Sequence, residues 1–350
     1  MPVSLLENAP LAGLNSFRVD ACARCLVRIE TPTDIPAALA LQPHCGADRL
    51  VLGGGSNVLF TADFPGLVMQ VAIPGIHWLG EDEHYRYLSV GAGVNWHALV
   101  RWSVERDYAG LENLALIPGT VGAAPVQNIG AYGVELADVC RAVEAYDLEQ
   151  GRMHRFAAAD CRFGYRDSRF KQEASRWLIT AVEFALPKVF EPKTDYPGVE
   201  AALAAQGAAG PLTPRRLADA IEAVRRSKLP SLEADQPGSA GSFFKNPLVC
   251  TELAEALAKR YPALPRYPAG EGRVKLSAAW LIEQAGWKGV RRGDAGVYDR
   301  HALVLVNYGR ASGADIWALA KEIIASVQER FGITLEPEPL ILPRDADSGV

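Results

Sequence analysis

The sequence predicts an α+β fold that is divided into several domains. The chain has 350 residues, which is long for a single hydrophobic core and favours two or three domains. Short stretches with strand-like alternation are separated by stretches in which apolar residues recur at helical spacing. Two glycine-rich segments without formal charge, 53–57 and 113–134, interrupt these patterns.

The first glycine-rich segment follows a short apolar strand. Residues 31–34 supply capping side chains before a short helix over 35–41, and 49–52 forms the strand. This strand runs directly into Gly-Gly-Gly-Ser-Asn at 53–57, and apolar chain resumes at 58–60. A strand followed by a glycine turn exposes consecutive backbone amides that can bind an anion. The spacing matches neither the Rossmann motif nor the P-loop.

The second glycine-rich segment lies within 116–136 and predicts irregular, buried backbone. Pro118, Pro125 and four glycines exclude a long helix or a membrane span. Buried irregular backbone has N–H and C=O groups that need partners, and small residues let a ligand approach them. We expect a flat polar ligand here, and the two segments together indicate a long ligand with a diphosphate in its middle. A purely structural loop is the alternative.

The remaining chain alternates between strand and helix patterns. Strands are predicted over 85–90, 141–148 and 177–184 and a helix over 96–105, which indicates a mixed sheet around the second glycine-rich segment. Further helices are predicted over 201–205, 215–227, 277–285 and 314–331, and a buried strand over 302–307. We expect a domain boundary near the helix over 215–227.

The composition limits the classes of partner. Apolar residues make up 49% of the chain and charged residues 22%, as in ordinary soluble globular proteins. A net charge of -5 gives no reason to expect nucleic acid or an anionic membrane as partner. The N-terminus has no signal-peptide pattern and no run of about 18 apolar residues occurs, so we expect a cytoplasmic protein.

The six cysteines are few and scattered. Cys22 and Cys25, with His44 and Cys45 downstream, raise the alternative of a zinc site, but there is no second C-x-x-C motif. We therefore expect no metal. Free, reduced thiols are the expectation for a cytoplasmic protein.

Three segments carry side chains suited to chemistry. The segment 163–171 contains Arg166, whose planar fork can bind a carboxylate; a solvated turn is the alternative. The segment 238–247 places Ser242 between small residues and two phenylalanines, and its spacing is not that of a nucleophile elbow. Near the end of the chain, Glu336 and Glu338 lie in an apolar stretch, and we expect one to face solvent and the other to face inward.

Taken together, these segments resemble the UDP-N-acetylenolpyruvoylglucosamine reductase family, in order and over nearly the whole chain. The motifs that carry the resemblance are Gly-Gly-Gly-Ser-Asn at 53–57, Ile-Pro-Gly-Thr-Val-Gly-Ala-Ala-Pro at 117–125, Gln-Asn-Ile-Gly-Ala-Tyr-Gly at 127–133, Phe-Gly-Tyr-Arg-Asp-Ser at 163–168, Gly-Ser-Phe-Phe-Lys-Asn-Pro at 241–247 and Leu-Glu-Pro-Glu at 335–338. The resemblance implies an FAD-binding fold of two subdomains, of the vanillyl-alcohol-oxidase type, plus a C-terminal α+β substrate domain. The implied segments are two FAD-binding subdomains at 1–68 and 69–213, a substrate-binding domain at 214–335, and a terminal strand and tail at 336–350.

The resemblance also implies an FAD-dependent oxidoreductase of bacterial cell-wall precursor synthesis. NADPH would reduce the flavin, which would pass a hydride to C3 of the enolpyruvyl ether of UDP-N-acetylglucosamine. The implied catalytic residues are Arg166, Ser242 and Glu338. Arg166 would stabilise charge that spreads into the substrate carboxylate, and Ser242 would protonate C2. Glu338 would hold the network around that hydroxyl.

Binding residues follow from the same motifs. FAD contacts are implied for Gly53, Gly54, Gly55, Ser56, Asn57, Pro118, Gly119, Val121, Gly122, Ala123, Gln127, Asn128, Gly130, Ala131, Tyr132 and Gly133. Substrate contacts are implied for Tyr165, Tyr196, Lys228, Asn246 and Gln284, with Tyr196 matching a family branch that has an extra tyrosine-bearing loop over the diphosphate. The expected partners are the sugar nucleotide and NADPH, bound by a monomer. An FAD-dependent oxidase of the same fold and a non-catalytic sugar-nucleotide binding protein are the alternatives.

Overall fold

The computed structural model describes residues 3–196, 198–207, 210–231, 236–270 and 272–343. The tail from Arg344, which closes the predicted segment 336–350, lies outside these residues. None of the described helices combines the length and the apolar character that crossing a membrane requires.

Nineteen strands occur within the described residues. They are β1 (Leu5–Pro10), β2 (Cys22–Ile29), β3 (Arg49–Leu52), β4 (Val58–Phe60), β5 (Phe64–Val71), β6 (Ile76–Glu81), β7 (Tyr85–Gly91), β8 (Gly130–Ala131), β9 (Val134–Glu135), β10 (Cys140–Asp147), β11 (Arg152–Ala157), β12 (Trp177–Pro187), β13 (Leu248–Cys250), β14 (Arg266–Pro268), β15 (Arg273–Leu276), β16 (Arg291–Arg292), β17 (Ala295–Val297), β18 (Leu305–Asn307) and β19 (Leu340–Leu342).

Eight α-helices occur in the same part of the chain. They are α1 (Asp34–Cys45), α2 (Trp96–Val104), α3 (Arg169–Gln172), α4 (Val199–Ala205), α5 (Pro214–Lys228), α6 (Thr251–Arg260), α7 (Ala278–Gln284) and α8 (Gly313–Phe331). Each helix predicted from the sequence is present, and side-chain caps begin α2, α7 and α8. Ser277, for example, caps α7 by accepting a hydrogen bond from the Trp280 amide.

The chain forms two compact units. The first comprises 1–9, 23–55 and 65–227, and the second comprises 10–22, 56–64 and 228–350. The predicted division at 213/214 is therefore one helix earlier than the division at 227/228. Helix α5 belongs to the first unit because its apolar residues, among them Leu217 and Ile221, are buried in that unit's core.

The first unit contains two larger sheets and one extensive hydrophobic core. One sheet has the strand order β1-β2-β5-β3, in which β3 runs parallel to β5. The other has the order β11-β10-β12-β7-β6, and every neighbouring pair in it is antiparallel. The predicted mixed sheet is therefore wrong for this part of the chain. Consecutive strands such as β6 and β7 are joined by short turns, and short turns produce antiparallel pairs.

The second unit is built from small sheets and the long helix α8. Its sheets have the orders β13-β15-β14, β16-β17-β18 and β19-β4, the last of them parallel. Ser312 and Asp315 form a capping box at the start of α8, and Gly332 ends the helix with φ of 69°. The predicted strand over 302–307 is shorter than expected, since only residues 305–307 are strand.

The cysteines differ from the expectation of free thiols throughout. Cys25 in β2 and Cys45 at the end of α1 form a disulfide, so neither supplies a free thiolate to the zinc site considered above. Burial raises the pKa of the Cys140 and Cys161 thiols, each to about 12. Cys250 is exposed. No group of three or more metal-binding side chains occurs among the described residues.

Candidate active site

The second glycine-rich segment is fixed by the chain that enters α2. The amides of Val121 and Gly122 donate to the carbonyls of Val94 and Ala92, at 2.9 and 2.8 Å, and the Trp96 amide donates to the Gly119 carbonyl at 3.0 Å. Since the Val121 and Gly122 amides are used in this way, these two residues position the segment. A Cβ at Gly122 would lie 2.5 Å from the Ala92 Cβ, so only glycine fits there.

Four residues other than glycine adopt the left-handed backbone conformation in this region. They are Leu116, Asn128, Tyr132 and Arg166, with φ of 59°, 44°, 50° and 55°. This conformation costs a non-glycine residue about 1–2 kcal/mol. It persists only where surrounding contacts enforce it, and such residues cluster at functional sites. All four lie within the predicted cofactor and substrate motifs or at their edge.

The two predicted glycine-rich segments meet in the first unit. A Cβ at Gly53 would lie 2.6 Å from the Thr120 Oγ1, and a Cβ at Gly54 would lie 3.1 Å from the Gly119 Cα. The two backbones therefore approach as closely as glycine allows. The structure confirms that these segments, more than 60 residues apart in sequence, lie side by side.

The Thr120 hydroxyl tests whether this place suits a polar cofactor. Its Oγ1 is buried and has no hydrogen-bond partner among the described residues. A buried hydroxyl without a partner costs about 1–3 kcal/mol, which a bound polar group would recover. The residues present therefore fit FAD, and Thr120 is a candidate contact that was not predicted from the sequence.

Asn128 holds the middle of the segment with a buried side chain. Its Nδ2 donates to Glu135 Oε2 at 2.7 Å and to the Gly164 carbonyl at 3.2 Å, and its Oδ1 accepts from the Ala137 amide at 3.0 Å. Only 1% of Asn128 is exposed. These contacts show that Asn128 joins the cofactor segment to the turn that carries Tyr165 and Arg166.

Arg166 lies on a tight turn in the first unit. The amides and carbonyls of Gly164 and Asp167 are hydrogen-bonded to each other, at 3.0 and 3.2 Å, which places Tyr165 and Arg166 at the tip. The Arg166 guanidinium donates to the Gly130 carbonyl at 3.1 Å, and its own carbonyl accepts from Lys171 Nζ at 2.8 Å. The predicted catalytic arginine thus lies against the predicted cofactor segment.

A cluster of two tyrosines and one arginine adjoins this segment. The Tyr132 and Tyr196 rings pack edge to face, with their centroids 5.1 Å apart. The Tyr132 side chain is hydrogen-bonded to Arg225 on α5. Burial lowers the pKa of Arg225, which Tyr132 opposes. Within the described part of the chain, the buried Arg225 Nε has no hydrogen-bond partner. Asn113 donates to the carbonyls of Tyr132 and Lys193 and so links the two tyrosine segments.

Arg225 and Asn113 were not identified from the sequence. A buried cation with an unsatisfied donor is suited to bind an anionic ligand. The signal available in the sequence was the pair of arginines just before Lys228, on the helix predicted over 215–227.

In the second unit the structure brings Ser242 and Glu338 onto neighbouring segments. The Glu338 amide donates to the Phe243 carbonyl at 2.8 Å, and the Lys245 amide donates to the Glu336 carbonyl at 2.9 Å. Two chain segments about 90 residues apart are therefore paired as a short antiparallel ladder. Phe243, the residue after Ser242, is fully buried and anchors the ladder.

The two glutamates differ as expected, although the segment is not a strand. Glu336 is exposed and pairs with Lys245 at 2.7 Å, whereas Glu338 is half-buried. A regular strand would point both carboxylates to one face. Irregular backbone around the isolated bridge at Pro337 separates them instead. The Asn57 side chain donates to the Glu338 carbonyl at 3.2 Å, which brings one predicted FAD residue to a predicted catalytic residue.

The remaining predicted residues are distributed between the units. Gly53 to Gly55 and Arg166 lie in the first unit, while Ser56, Asn57, Ser242 and Glu338 lie in the second. Lys228 opens the main part of the second unit at the end of α5. Asn246 Oδ1 accepts from the Ala278 amide at the start of α7, whereas Gln284 is exposed at the other end of that helix. The site residues stay predictions.

Comparisons with known proteins show which family shares this arrangement. Residues 23–157 match the family model "FAD binding domain", and 232–342 match "UDP-N-acetylenolpyruvoylglucosamine reductase, C-terminal domain". A UDP-N-acetylenolpyruvoylglucosamine reductase of Xanthomonas euvesicatoria pv. vesicatoria is 50% identical, over 97% of this chain and 96% of its own. One from Pseudomonas putida is 47% identical, over 97% and 99%.

The chain belongs to the UDP-N-acetylenolpyruvoylglucosamine reductase family. A crystal structure of the reductase from Thermus caldophilus is also similar, with 27% identity, a TM-score of 0.65 and coverage of 97% of this chain and 99% of that one. The resemblance inferred from the motifs is thereby confirmed. The predicted fold class, an FAD-binding fold followed by the reductase family's C-terminal domain, is also confirmed. So is the prediction of an FAD-dependent oxidoreductase.

Proposed function

We propose that this chain reduces the enolpyruvyl ether of UDP-N-acetylglucosamine to UDP-N-acetylmuramate, with NADPH as reductant, in peptidoglycan precursor synthesis. When bound, FAD would act as the hydride carrier between NADPH and the ether. The observation that carries the proposal is the ladder in the second unit, because it holds a hydroxyl and a carboxylate on adjoining segments. A reduction of a carbon–carbon double bond needs such a proton source, whereas an oxidase does not.

Arg166 stabilises the charge that the reaction creates. Hydride addition at C3 leaves negative charge at C2, and the adjoining substrate carboxylate shares that charge. A guanidinium presents two parallel donors to a carboxylate and stays protonated throughout. Because the left-handed turn and the Gly130 carbonyl fix Arg166 in advance, little reorganisation is needed when the charge develops.

Ser242 delivers the proton to C2, and Glu338 maintains the hydroxyl's hydrogen-bond network. Ser242 follows Gly241, whose φ is 72°, and precedes the buried Phe243, so its backbone is held on both sides. The half-buried Glu338 is suited to orient the hydroxyl and to restore its proton. Glu336 has a different role, since it forms an exposed ion pair with Lys245.

Arg225, Tyr132 and Tyr196 bind the anionic part of the substrate within the first unit. The buried Arg225 Nε has no hydrogen-bond partner among the described residues, so an anion would gain a charge-assisted hydrogen bond there. Tyr196 is half exposed and rests on Tyr132. Lys228 and Asn246, in the second unit, are assigned to the anionic substrate by their motifs alone.

An anaerobic titration tests the reaction. The purified protein should be yellow, should bleach when NADPH is added, and should regain its colour when the enolpyruvyl ether is added in the absence of oxygen. Colour that returns only with air would contradict the proposal and favour an FAD-dependent oxidase. A colourless protein that still binds the sugar nucleotide would favour a binding protein.

We also propose a monomer that acts in the cytoplasm. Each residue assigned to catalysis belongs to the same chain, so no second copy is needed to complete the set. The two proposed partners, NADPH and the sugar nucleotide, are highly charged and do not cross an apolar bilayer unaided. Sedimentation of the FAD-loaded protein would reveal any stable dimer.

A further inference from the structure

The entrance to the cofactor segment depends on one histidine. The Leu116 amide donates to Nδ1 of His97 at 3.0 Å, and His97 is the second residue of α2. Leu116 is one of the left-handed residues, with φ of 59°. It is followed within three positions by Pro118 and Gly119, which are predicted to contact FAD. The first residue of α2, Trp96, holds the Gly119 carbonyl, so α2 clamps this stretch at both ends.

The hydrogen bond defines the protonation state of the ring. Nδ1 accepts a hydrogen bond from an amide, so it carries no proton of its own, and the ring proton of neutral histidine then lies on Nε2. Nε2 faces Glu222 Oε1 on α5 at 3.6 Å. If His97 took up a second proton, it would reside on Nδ1 and point at the Leu116 N–H. The hydrogen bond would then be lost and two donors would face each other.

The surroundings favour the neutral ring. Burial lowers the pKa of His97 below its ordinary value of 6.5, and the charges of Arg101, Arg226 and Arg225 act in the same direction. Glu222 opposes them. Glu222 also accepts from Arg101 at 3.2 Å, and Arg101 binds Asp219 at 2.6 Å. The cofactor segment itself has no formal charge between 113 and 134, so α2 and α5 provide the charged groups around the ring.

We propose that His97 is a positioning residue which, in its neutral form, holds Leu116 in the conformation that binds FAD. Protonation of His97 breaks the hydrogen bond between the two residues and so weakens FAD binding. FAD affinity is then constant at neutral and alkaline pH and falls as the pH drops through the pKa of His97, below 6.5. The inference rests on FAD binding by this segment. It goes beyond the reaction, because it makes affinity for the cofactor pH-dependent through a residue that touches neither FAD nor substrate.

FAD affinity of the apoprotein, followed by quenching of flavin fluorescence between pH 5 and 8, tests the inference without turnover. Wild type should bind progressively more weakly as the pH falls, by up to about tenfold once His97 is protonated, which is the loss expected for one hydrogen bond. His97→Gln keeps an acceptor for Leu116 and a donor for Glu222. It should bind as wild type does at pH 7.5 and show no acid weakening.

Two further variants complete the test. His97→Leu should bind about tenfold more weakly at every pH. His154→Gln is the matched control, because His154 is also half-buried in the first unit but contacts Asp147 and Trp177. This variant should lose FAD affinity at low pH as wild type does. The inference would be overturned if His97→Gln lost FAD affinity at low pH as wild type does, or if His97→Leu bound FAD as tightly as wild type. Absence of any FAD binding by wild type would instead refute the cofactor site itself.

Discussion

The cofactor segment of the first unit contains three left-handed residues, whereas Ser242 and Glu338 in the second unit lie on segments joined by ordinary antiparallel hydrogen bonds. In the first region, side chains such as the buried Asn128 and the half-buried His97 enforce an unfavourable backbone. In the second, backbone hydrogen bonds and the buried Phe243 hold the two segments together. Replacing Ser242 should therefore leave the fold intact.

The largest effect is expected for Ser242→Ala. Flavin reduction by NADPH should be unchanged, while reoxidation by the enolpyruvyl ether should slow by about 10³-fold, within the range for loss of a positioned proton donor. Anaerobic stopped-flow absorbance separates the two half-reactions. Ser239→Ala, at a buried serine three residues earlier, is the control and should keep both rates. Loss of both half-reactions in Ser242→Ala would remove Ser242 from its assigned step.

A smaller loss is expected for Arg166→Lys. An ammonium offers no bidentate fork, so reoxidation by the ether should slow by about 10²-fold. Arg162→Lys is a close control, because Arg162 is also a left-handed arginine, with φ of 52°, but it is exposed at the end of a short 3-10 helix. Turnover of Arg162→Lys should be near normal. Equal losses of rate in both variants would mean that the strained backbone, rather than the Arg166 guanidinium, determines the rate of reoxidation.

Asn128→Ala should lower stability and FAD affinity together. The variant loses three buried hydrogen bonds and places alanine at φ of 44°, which together cost about 3–6 kcal/mol of unfolding free energy. Asn128→Gly removes the same hydrogen bonds, but glycine adopts the left-handed conformation without strain. Urea unfolding of both variants measures the two contributions. If Asn128→Ala were as stable as wild type, the enforced backbone of the first region would be refuted.

The smallest effect concerns a charged pair outside both regions. Burial alone would raise the pKa of Asp147, but hydrogen bonds from Arg176 and from the amides of Gln150 and Glu149 outweigh it and lower the pKa to about 2. A lowered pKa stabilises the fold above the carboxyl's ordinary value and loses that contribution as the pH falls through the folded value.

The melting temperature should therefore decline between about pH 4 and pH 2. Asp147→Asn should melt below wild type at neutral pH, and the gap should close over that interval. Unlike changes in either region of the site, this variant should not alter the half-reactions at pH 7. A gap that persisted unchanged at pH 2 would contradict the assignment.

Local signals in the sequence predicted local structure well. Strand β3 has the predicted bounds, and α5 begins and ends beside the prolines that mark it. The two glycine-rich segments were recognised because only glycine permits the approach seen between Gly54 and Gly119.

What the sequence did not reveal depends on partners far along the chain. The direction of β12 is set by its neighbours, so the sheet was wrongly predicted as mixed. The bond between Cys25 and Cys45 requires a helix to return its end to β2. Similarly, the roles assigned to His97 and Arg225 depend on their contacts with Leu116 and Tyr132. These contacts join residues that are too far apart in the sequence for a local pattern to reveal them.

The distribution of thiols has a practical consequence. Alkylating reagents react with thiolates. At neutral pH Cys140 and Cys161, with pKa raised to about 12, have almost none. Cys25 and Cys45 are bonded to each other, which leaves the exposed Cys250 and the half-buried Cys22. A maleimide dye should therefore label chiefly Cys250. Such a dye would provide a fluorescent reporter on the second unit that leaves Ser242 and Glu338 chemically unmodified.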